Sequence, residues 1–194
     1  MEKICVYCGS ADDLNPAYLE GAKQMGKAIA KRGLQLWYGA GSTGLMGAVA
    51  NGALGAGGEV IGVIPAIFHT PQLAHSGLTR LEIVESMHQR KERLADQADA
   101  FIALPGGFGT FEELFEILTW AQIGLHQKPV GLLNTLGYYD QLVKAIEYAR
   151  KEGFIYDEHR SLFMCEQQPE QLLERLEHYN APSGLDRWLT RSDR

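Results

Sequence analysis

A chain of 194 residues, 45% hydrophobic and 22% charged, has the size and composition of one globular domain. Its net charge of −6 excludes a broad basic field for nucleic acid, so an anionic ligand would need a local site of backbone amides and a few cations. No apolar run approaches the ~20 residues of a membrane span, and the N-terminus, Met1-Glu2-Lys3, lacks the features of a signal peptide.

Apolar runs alternate with amphipathic segments, a pattern typical of parallel strands covered by helices. The predicted strands are residues 4–8, 36–38, 60–64, 81–84, 100–104, 130–133 and 161–165. The predicted helices are residues 16–32, 44 to about 56, 87–98 with Ser86 as N-cap, 110 to about 125, 138–151 and 169–179. Residues 66–79 are expected to form an irregular loop. We therefore predict an α/β fold over residues 1–180, a single-domain Rossmann-like parallel sheet flanked by helices on both faces, followed by a loose tail over residues 181–194.

The three cysteines predict neither a disulfide framework nor a metal site. Cys5 and Cys8 have C-x-x-C spacing, but residues three apart in a strand point to opposite faces of the sheet. Unpaired cysteines fit a reducing compartment, so we expect a cytoplasmic protein. His69 and His75 in the irregular loop lack a recognisable metal-ligand spacing, and we expect no metal and no cofactor.

The first glycine-rich loop, residues 39–44, matches G-x-G-x-x-G between a strand and a helix. A dinucleotide site would also need an acid at the end of the next strand, and that strand ends at Ile64-Pro65. No Lys-Ser/Thr pair follows the glycines, so the loop is not a P-loop. The pattern predicts a phosphate site at a helix N-terminus, made by Gly41, Ser42, Thr43 and Gly44, and a tight turn that only packs helix against sheet is an equally open alternative.

The second glycine-rich loop, residues 105–110, also lies between a buried strand and a helix start. Three glycines in four residues, Gly106, Gly107 and Gly109, let the backbone approach a ligand closely, and Thr110 adds a hydroxyl. Ligands of open α/β sheets bind outside the carboxyl ends of the strands, where both loops should lie. Two such loops on one edge favour a small phosphorylated ligand.

Glu113 occupies an unusual position on the predicted 110–125 helix. At about 100° per residue, the polar face carries Glu112, Glu116 and Thr119, and the predicted core stripe is Phe111, Leu114, Phe115, Leu118, Ala121 and Leu125. Glu113 lies instead beside Ile117 and Trp120, on a second apolar flank, where a carboxylate would be partly desolvated and suited to acid–base or charge-stabilising work. The alternative is a capping box in which Glu113 bonds back to the helix start at Thr110.

Arg90 lies within the apolar stripe of Met87, Leu94 and Ala98 on the preceding helix. An arginine on an inner face is normally paired with a carboxylate or a phosphate. A structural ion pair with Glu82 or Glu85 is the alternative to a functional role. Lys91 is either a solvated neighbour or a phosphate contact.

Residues 87–91, Met-His-Gln-Arg-Lys, and residues 105–113, Pro-Gly-Gly-Phe-Gly-Thr-Phe-Glu-Glu, resemble the two signatures of the LONELY GUY (LOG) family. These cytokinin riboside 5′-monophosphate phosphoribohydrolases are often mislabelled as possible lysine decarboxylases, and we find no residue set that argues for pyridoxal phosphate. The resemblance extends from Cys8-Gly9-Ser10 to about Ile155. It implies catalytic roles for Arg90 and Glu113. It also implies substrate or phosphate binding by Ser10, Met87, Lys91 and the two glycine loops, and a homodimer.

We therefore predict hydrolysis of the N-glycosidic bond of a nucleoside 5′-monophosphate. The alternative is a non-catalytic nucleotide or molybdenum-cofactor carrier on the same fold. The homodimer is predicted to use the 110–125 helix, whose second apolar flank contains Ile117, Trp120 and Ile123. Ala40 stands where many relatives have a third consecutive glycine, and we expect alanine to be tolerated if this position needs no positive φ.

Overall fold

The computed structural model describes residues 1–185, and its centre is a seven-stranded parallel sheet. The strands are β1 (Lys3–Tyr7), β2 (Gln35–Tyr38), β3 (Val60–Pro65), β4 (Arg80–Val84), β5 (Ala100–Ala103), β6 (Val130–Leu133) and β7 (Phe163–Glu166). They lie in the order β4-β3-β2-β1-β5-β6-β7. In the middle, Cys5 of β1 aligns with Trp37 of β2 on one side and with Phe101 of β5 on the other.

Six α-helices cover the two faces of the sheet within the described residues: α1 (Pro16–Lys31), α2 (Gly44–Leu54), α3 (Met87–Gln97), α4 (Phe108–Gln122), α5 (Asp140–Lys151) and α6 (Pro169–Glu177). Because side chains alternate along a strand, Ile4 and Val6 join the core under α1, α2 and α6, while Cys5 and Tyr7 join the core under α3, α4 and α5. The predicted Rossmann-like fold is confirmed. Cys5 and Cys8 lie in different cores, both as free thiols, as predicted.

The ends of several helices differ from the prediction because local backbone geometry sets them. Ser86 caps α3 as predicted, accepting a hydrogen bond from the Gln89 amide at 3.2 Å. Helix α4 begins at Phe108, directly after the extended Gly107, and not at Thr110. Helix α5 begins at Asp140 because Leu136 and Gly137 adopt positive φ values of 54° and 72° and form a turn.

The predicted core stripe of α4 was only partly right: Leu114 and Ala121 are buried, and Phe111 and Leu118 pack against the core. The buried residues of this helix are Thr110, Glu113, Leu114, Ile117 and Ala121. Phe115 and Leu125, which were assigned to the core, are exposed, and Ile117 is 1% exposed. The true buried stripe of α4 is rotated by about one residue. A prediction that assigns only apolar side chains to the core leaves out the inward-facing Glu113.

Of the predicted tail over residues 181–194, the structure describes only residues 181–185, and the rest lies outside the described residues. Leu185 is buried against Ala121 of α4 and Leu162. No helix within residues 1–185 is long and apolar enough to cross a membrane.

Ala40 corrects another expectation, because it has a φ of 62° and is completely buried. The left-handed conformation disfavours any residue with a Cβ, and a β-branched residue most of all. The space is also filled, since a Cβ built at Gly62 would lie 2.6 Å from the Cβ of Ala40. The position therefore does require a positive φ, and alanine is held there at a cost.

We expect Ala40→Val to lower the free energy of unfolding by about 2–4 kcal/mol, through backbone strain and overpacking. Ala40→Gly is the control and should remain within about 1 kcal/mol of the parent, because relief of strain offsets the lost methyl contact. Urea unfolding followed by circular dichroism measures both. Equal stability of the valine variant and the parent would contradict the left-handed geometry.

Candidate active site

The main cavity lies where the direction of chain winding reverses in the sheet. Strands β1 and β5 are neighbours, and the chain leaves them towards opposite edges, so the segments after their carboxyl ends separate and open a crevice. The cavity has a volume of about 590 Å³. Its walls come from residues 8–11 after β1, residues 105–110 after β5, and side chains of α1 to α4.

Arg90 and Glu113 meet at this cavity as an ion pair, with Arg90 Nη1 2.8 Å from Glu113 Oε1. Arg90 Nε also donates to the Val63 carbonyl of β3 at 3.3 Å, which fixes the guanidinium against the sheet. Gly39 leaves the necessary space, since a Cβ there would lie 1.9 Å from Arg90 Nη2. The alternative pairing of Arg90 with Glu82 or Glu85 was wrong, because Glu82 pairs with Arg93 and Arg80.

Glu113 is buried, with 8% of its surface exposed. Burial raises the pKa of its carboxyl group, and the neighbouring Arg90 opposes that rise. The capping-box alternative was also wrong, because Gly107 is the N-cap of α4 and Glu113 bonds to Arg90. The carboxylate is thus partly desolvated, as expected. It lies on the core side of α4 and not on the second apolar flank that the sequence indicated.

The second glycine loop forms one wall of the cavity, to which Gly106, Gly107, Gly109 and Thr110 all contribute. Gly106 is needed for packing, since a Cβ there would lie 2.1 Å from Thr110 Oγ1. Gly107 and Gly109 differ: in residues 1–185, no atom of another segment lies within 4 Å of a Cβ built at either position, and neither has a positive φ. Nothing in the unliganded chain therefore requires glycine at these two positions.

The first glycine loop does not line this cavity, and its polar groups are bonded within the chain. The amides of Leu45 and Met46 at the start of α2 donate to the Gly9 carbonyl at 3.0 and 3.2 Å. Thr43 Oγ1 donates to the Ser10 carbonyl at 2.7 Å. The irregular segment 66–79 lies across the loop, where the Ser42 amide donates to the Leu73 carbonyl and Gly41 pairs with Ala74. Gly41 and Ser42 are thus bonded to the 66–79 segment, while Thr43 and the start of α2, which begins at Gly44, hold the 8–11 segment.

Of the remaining predicted site residues, some line the cavity and one does not. Ser10 and Met87 line the cavity. Lys91 does not, and its ammonium group forms ion pairs with Glu112 at 2.5 Å and Glu116 at 2.9 Å on α4, of which Glu112 lines the cavity.

Several cavity residues were missed by the sequence analysis because apolar and aromatic side chains carry no recognisable motif. They include Leu14, Tyr18, Leu45, Met46, Phe108 and Tyr138. Tyr138 could have been found, since it follows the carboxyl end of β6 on the same edge of the sheet. In the described part of the chain, no group of three or more His, Cys, Asp or Glu side chains is arranged to hold a metal ion.

Fold and site together define a Rossmann-like protein with a buried Arg–Glu pair in a switch-point cleft. The family model described as "Possible lysine decarboxylase" matches residues 46–176. Cytokinin riboside 5′-monophosphate phosphoribohydrolase LOG7 of Arabidopsis thaliana is 46% identical over 92% of this chain and 82% of its own length. The enzyme named LOG of Oryza sativa subsp. japonica is 45% identical over 91% of this chain and 73% of its own. The chain belongs to the LOG family of cytokinin riboside 5′-monophosphate phosphoribohydrolases.

Solved structures share the fold at lower identity. The molybdenum cofactor binding protein of Rippkaea orientalis superposes with a TM-score of 0.70 at 24% identity, covering 92% of this chain and 97% of its own. The molybdenum cofactor carrier protein of Chlamydomonas reinhardtii gives a TM-score of 0.70 at 23% identity, covering 91% and 96%. At this identity the likeness extends to the fold alone.

We expect Arg90→Met to lower the free energy of unfolding by about 3 kcal/mol at pH 7, because it leaves a buried carboxylate unpaired. Without the cation, the pKa of Glu113 rises further, so the native state holds a proton that the unfolded state loses near its ordinary pKa of about 4.3. The native state then binds more protons between these two pKa values, and stability falls as the pH rises through that window. The destabilisation should therefore be greater at pH 7 than at pH 5.

Arg93→Met is the control, since the Arg93–Glu82 pair is more exposed and should contribute about 1 kcal/mol or less. Urea unfolding at the two pH values gives the comparison. A loss for Arg90→Met that is equal at both pH values would show that Glu113 is not desolvated.

Proposed function

We propose that this chain hydrolyses the N-glycosidic bond of nucleoside 5′-monophosphates, either cytokinin riboside 5′-monophosphates or AMP. The products are the free base and ribose 5-phosphate. The observation that carries the proposal is the buried Arg90–Glu113 pair beside a glycine loop that lines the same cavity at the start of α4. Its LOG-family relatives are named for the same reaction.

Glu113 is the group that acts at the sugar. Cleavage of an N-glycosidic bond passes through an oxocarbenium-like sugar, so a carboxylate beside the anomeric carbon can stabilise the positive charge and direct a water molecule. Burial strengthens this interaction because little solvent screens it. Arg90 holds Glu113 in position and opposes the rise of its pKa, so the carboxylate remains available as a base. The remaining donors of Arg90 can orient the ribose.

The phosphate binds to the second glycine loop in this proposal. Gly107 and Gly109 face open space and need glycine for no internal reason, which fits close approach of a ligand to the backbone. They stand at the start of α4, where amide groups and the helix dipole favour an anion. Ser10 and the Thr110 hydroxyl, on the walls of the same cavity, add donors.

The first glycine loop has a supporting part in binding. Because the α2 amides are bonded to Gly9, they hold the 8–11 wall in place and are not open to a phosphate. Lys91 contributes by holding Glu112 and Glu116 of α4 through ion pairs. The base lies against the apolar walls of the cavity, among them Met87.

A carrier function is less well supported. The carrier proteins share the fold at 23–24% identity, which does not extend to their ligand. A carrier would need the cleft and the loop, but it would have no use for a desolvated carboxylate held by an arginine. The Arg90–Glu113 pair therefore favours the enzyme.

Glu113→Gln should lower kcat by about 10²–10⁴-fold, because the amide can neither carry negative charge nor accept a proton. Glu116→Gln is the control on the same helix, and it should retain activity within about threefold, since Glu116 is not among the residues that line the cavity and is paired with Lys91. Release of adenine from AMP, followed by chromatography, measures both. A Glu113→Gln variant that binds AMP and keeps substantial turnover would identify another residue as the base.

We also propose that the protein is a cytoplasmic homodimer that uses the exposed side of α4. Ile117 and Trp120 contribute less than the sequence indicated, because Ile117 is buried in the chain's own core and Trp120 packs against it. The proposal is supported by Phe108, 95% exposed, and Phe115, 42% exposed, which lie seven residues apart on one side of the helix. The three cysteines are free thiols, which fits the cytoplasm.

Light scattering at micromolar concentration should give about twice the chain mass of 21.5 kDa. Phe115→Glu should shift the protein towards the monomer, because it places a charge in the interface. Tyr148→Glu, at an exposed position of α5, is the control. A monomeric parent protein would overturn the dimer while leaving the reaction untouched.

A further inference from the structure

Three consecutive carbonyl groups lead into the second glycine loop, and each accepts a hydrogen bond from a different residue. Tyr139 Oη donates to the Leu104 carbonyl at 2.6 Å. The Gly9 amide donates to the Pro105 carbonyl at 3.0 Å. Tyr138 Oη donates to the Gly106 carbonyl at 2.5 Å. The loop is thus held in place through hydrogen bonds to its carbonyl oxygens.

The bond from Tyr138 has a particular consequence for the cavity. A trans peptide unit is planar, with its carbonyl and its N–H on opposite sides. The unit that carries the Gly106 carbonyl also carries the Gly107 N–H, so fixing the oxygen fixes the direction of that donor. Gly107 is the N-cap of α4, with φ of −95° and ψ of −150°, and because neither Gly106 nor Gly107 has a Cβ, the peptide between them can rotate when nothing holds it.

The ring of Tyr138 is itself held firmly. It stacks on Phe111 at 6.4 Å between ring centroids and makes edge contacts with Tyr18 at 6.0 Å and Tyr139 at 5.1 Å. Leu136, two residues earlier, has a left-handed backbone conformation and sets the direction in which the chain enters Tyr138. The hydroxyl therefore reaches the Gly106 carbonyl from a rigid support, and the same side chain lines the cavity.

We propose that Tyr138 is a positioning residue of this site: its hydroxyl holds the Gly106–Gly107 peptide so that the Gly107 N–H points at the substrate phosphate. The inference rests on the proposed function, because it assigns the phosphate to the second glycine loop. Tyr138 acts through the loop backbone and takes no part in breaking the glycosidic bond.

Tyr138→Phe keeps the ring and removes only the hydroxyl. We expect kcat/KM for AMP to fall about three- to tenfold, because one phosphate donor loses its orientation. Calorimetry with ribose 5-phosphate should show a similar loss of affinity, and adenine alone should bind as in the parent. An equal loss for adenine and ribose 5-phosphate would mean that Tyr138 merely shapes the cavity, and this would overturn the inference.

Tyr139→Phe is the matched control. It removes an equivalent hydroxyl from the neighbouring residue, but the peptide unit that carries the Leu104 carbonyl ends in the nitrogen of Pro105, which has no N–H to orient. This variant should unfold at a lower temperature than Tyr138→Phe and bind ribose 5-phosphate within about twofold of the parent. Equal weakening by both variants would attribute the effect to general loosening of the loop and contradict the inference.

The binding measurements keep this test separate from that of the reaction. If the parent protein cleaves no nucleotide, the proposed function fails, while the comparison of ribose 5-phosphate affinities still decides the role of Tyr138. If the parent cleaves AMP and Tyr138→Phe binds ribose 5-phosphate as tightly as the parent does, the reaction stands and the positioning role is overturned.

Discussion

The ion pair between Arg90 and Glu113 sets the requirements that the surrounding structure meets. Taking a carboxylate and a guanidinium out of water costs several kcal/mol for each ion, so the pair persists only with good geometry and further hydrogen bonds. Helix α4 presents Glu113 on its buried side, and α3 presents Arg90 opposite, at 2.8 Å. The Val63 carbonyl holds the guanidinium, and Gly39 gives it room. The crevice opens where these elements converge, beyond the carboxyl ends of β1 and β5, and this makes it the place for chemistry.

Two glycine loops with similar sequences have different tasks around this pair. The first is bound on both sides, by segment 66–79 above it and by residues 8–11 beside it, so its donors are already bonded. The second is bonded through the carbonyls of Leu104, Pro105 and Gly106, and its glycines line the cavity. A glycine-rich motif after a strand therefore indicates close backbone approach, but the approaching group can be another segment of the same chain or a ligand. The residues that approach from outside the motif decide which it is.

The sequence predicted the architecture and the ends of the strands to within about two residues, because alternation of apolar and helical segments reflects burial directly. It also singled out Arg90 and Glu113 as charges on inward-facing positions. It could not supply the rotation of α4, because the buried stripe includes the polar Thr110 and Glu113, which a pattern of apolar residues leaves out. The left-handed Ala40 was missed because alanine normally avoids that conformation. Tyr138 was missed because an aromatic residue outside any motif shows its partner only after the chain has folded.

The most direct measurement of the central claim compares AMP with adenosine as substrates of the purified protein, with adenine followed by chromatography and ribose 5-phosphate by phosphorus NMR. The account predicts equimolar adenine and ribose 5-phosphate from AMP, and little adenine from adenosine. Phosphate binding remote from the bond that breaks holds the ribose in its reactive geometry, so its loss should lower kcat as well as raise KM. Bound AMP with no release of adenine would contradict the account and favour a carrier. Cleavage of both compounds with similar kcat/KM would show that the second glycine loop does not anchor the phosphate.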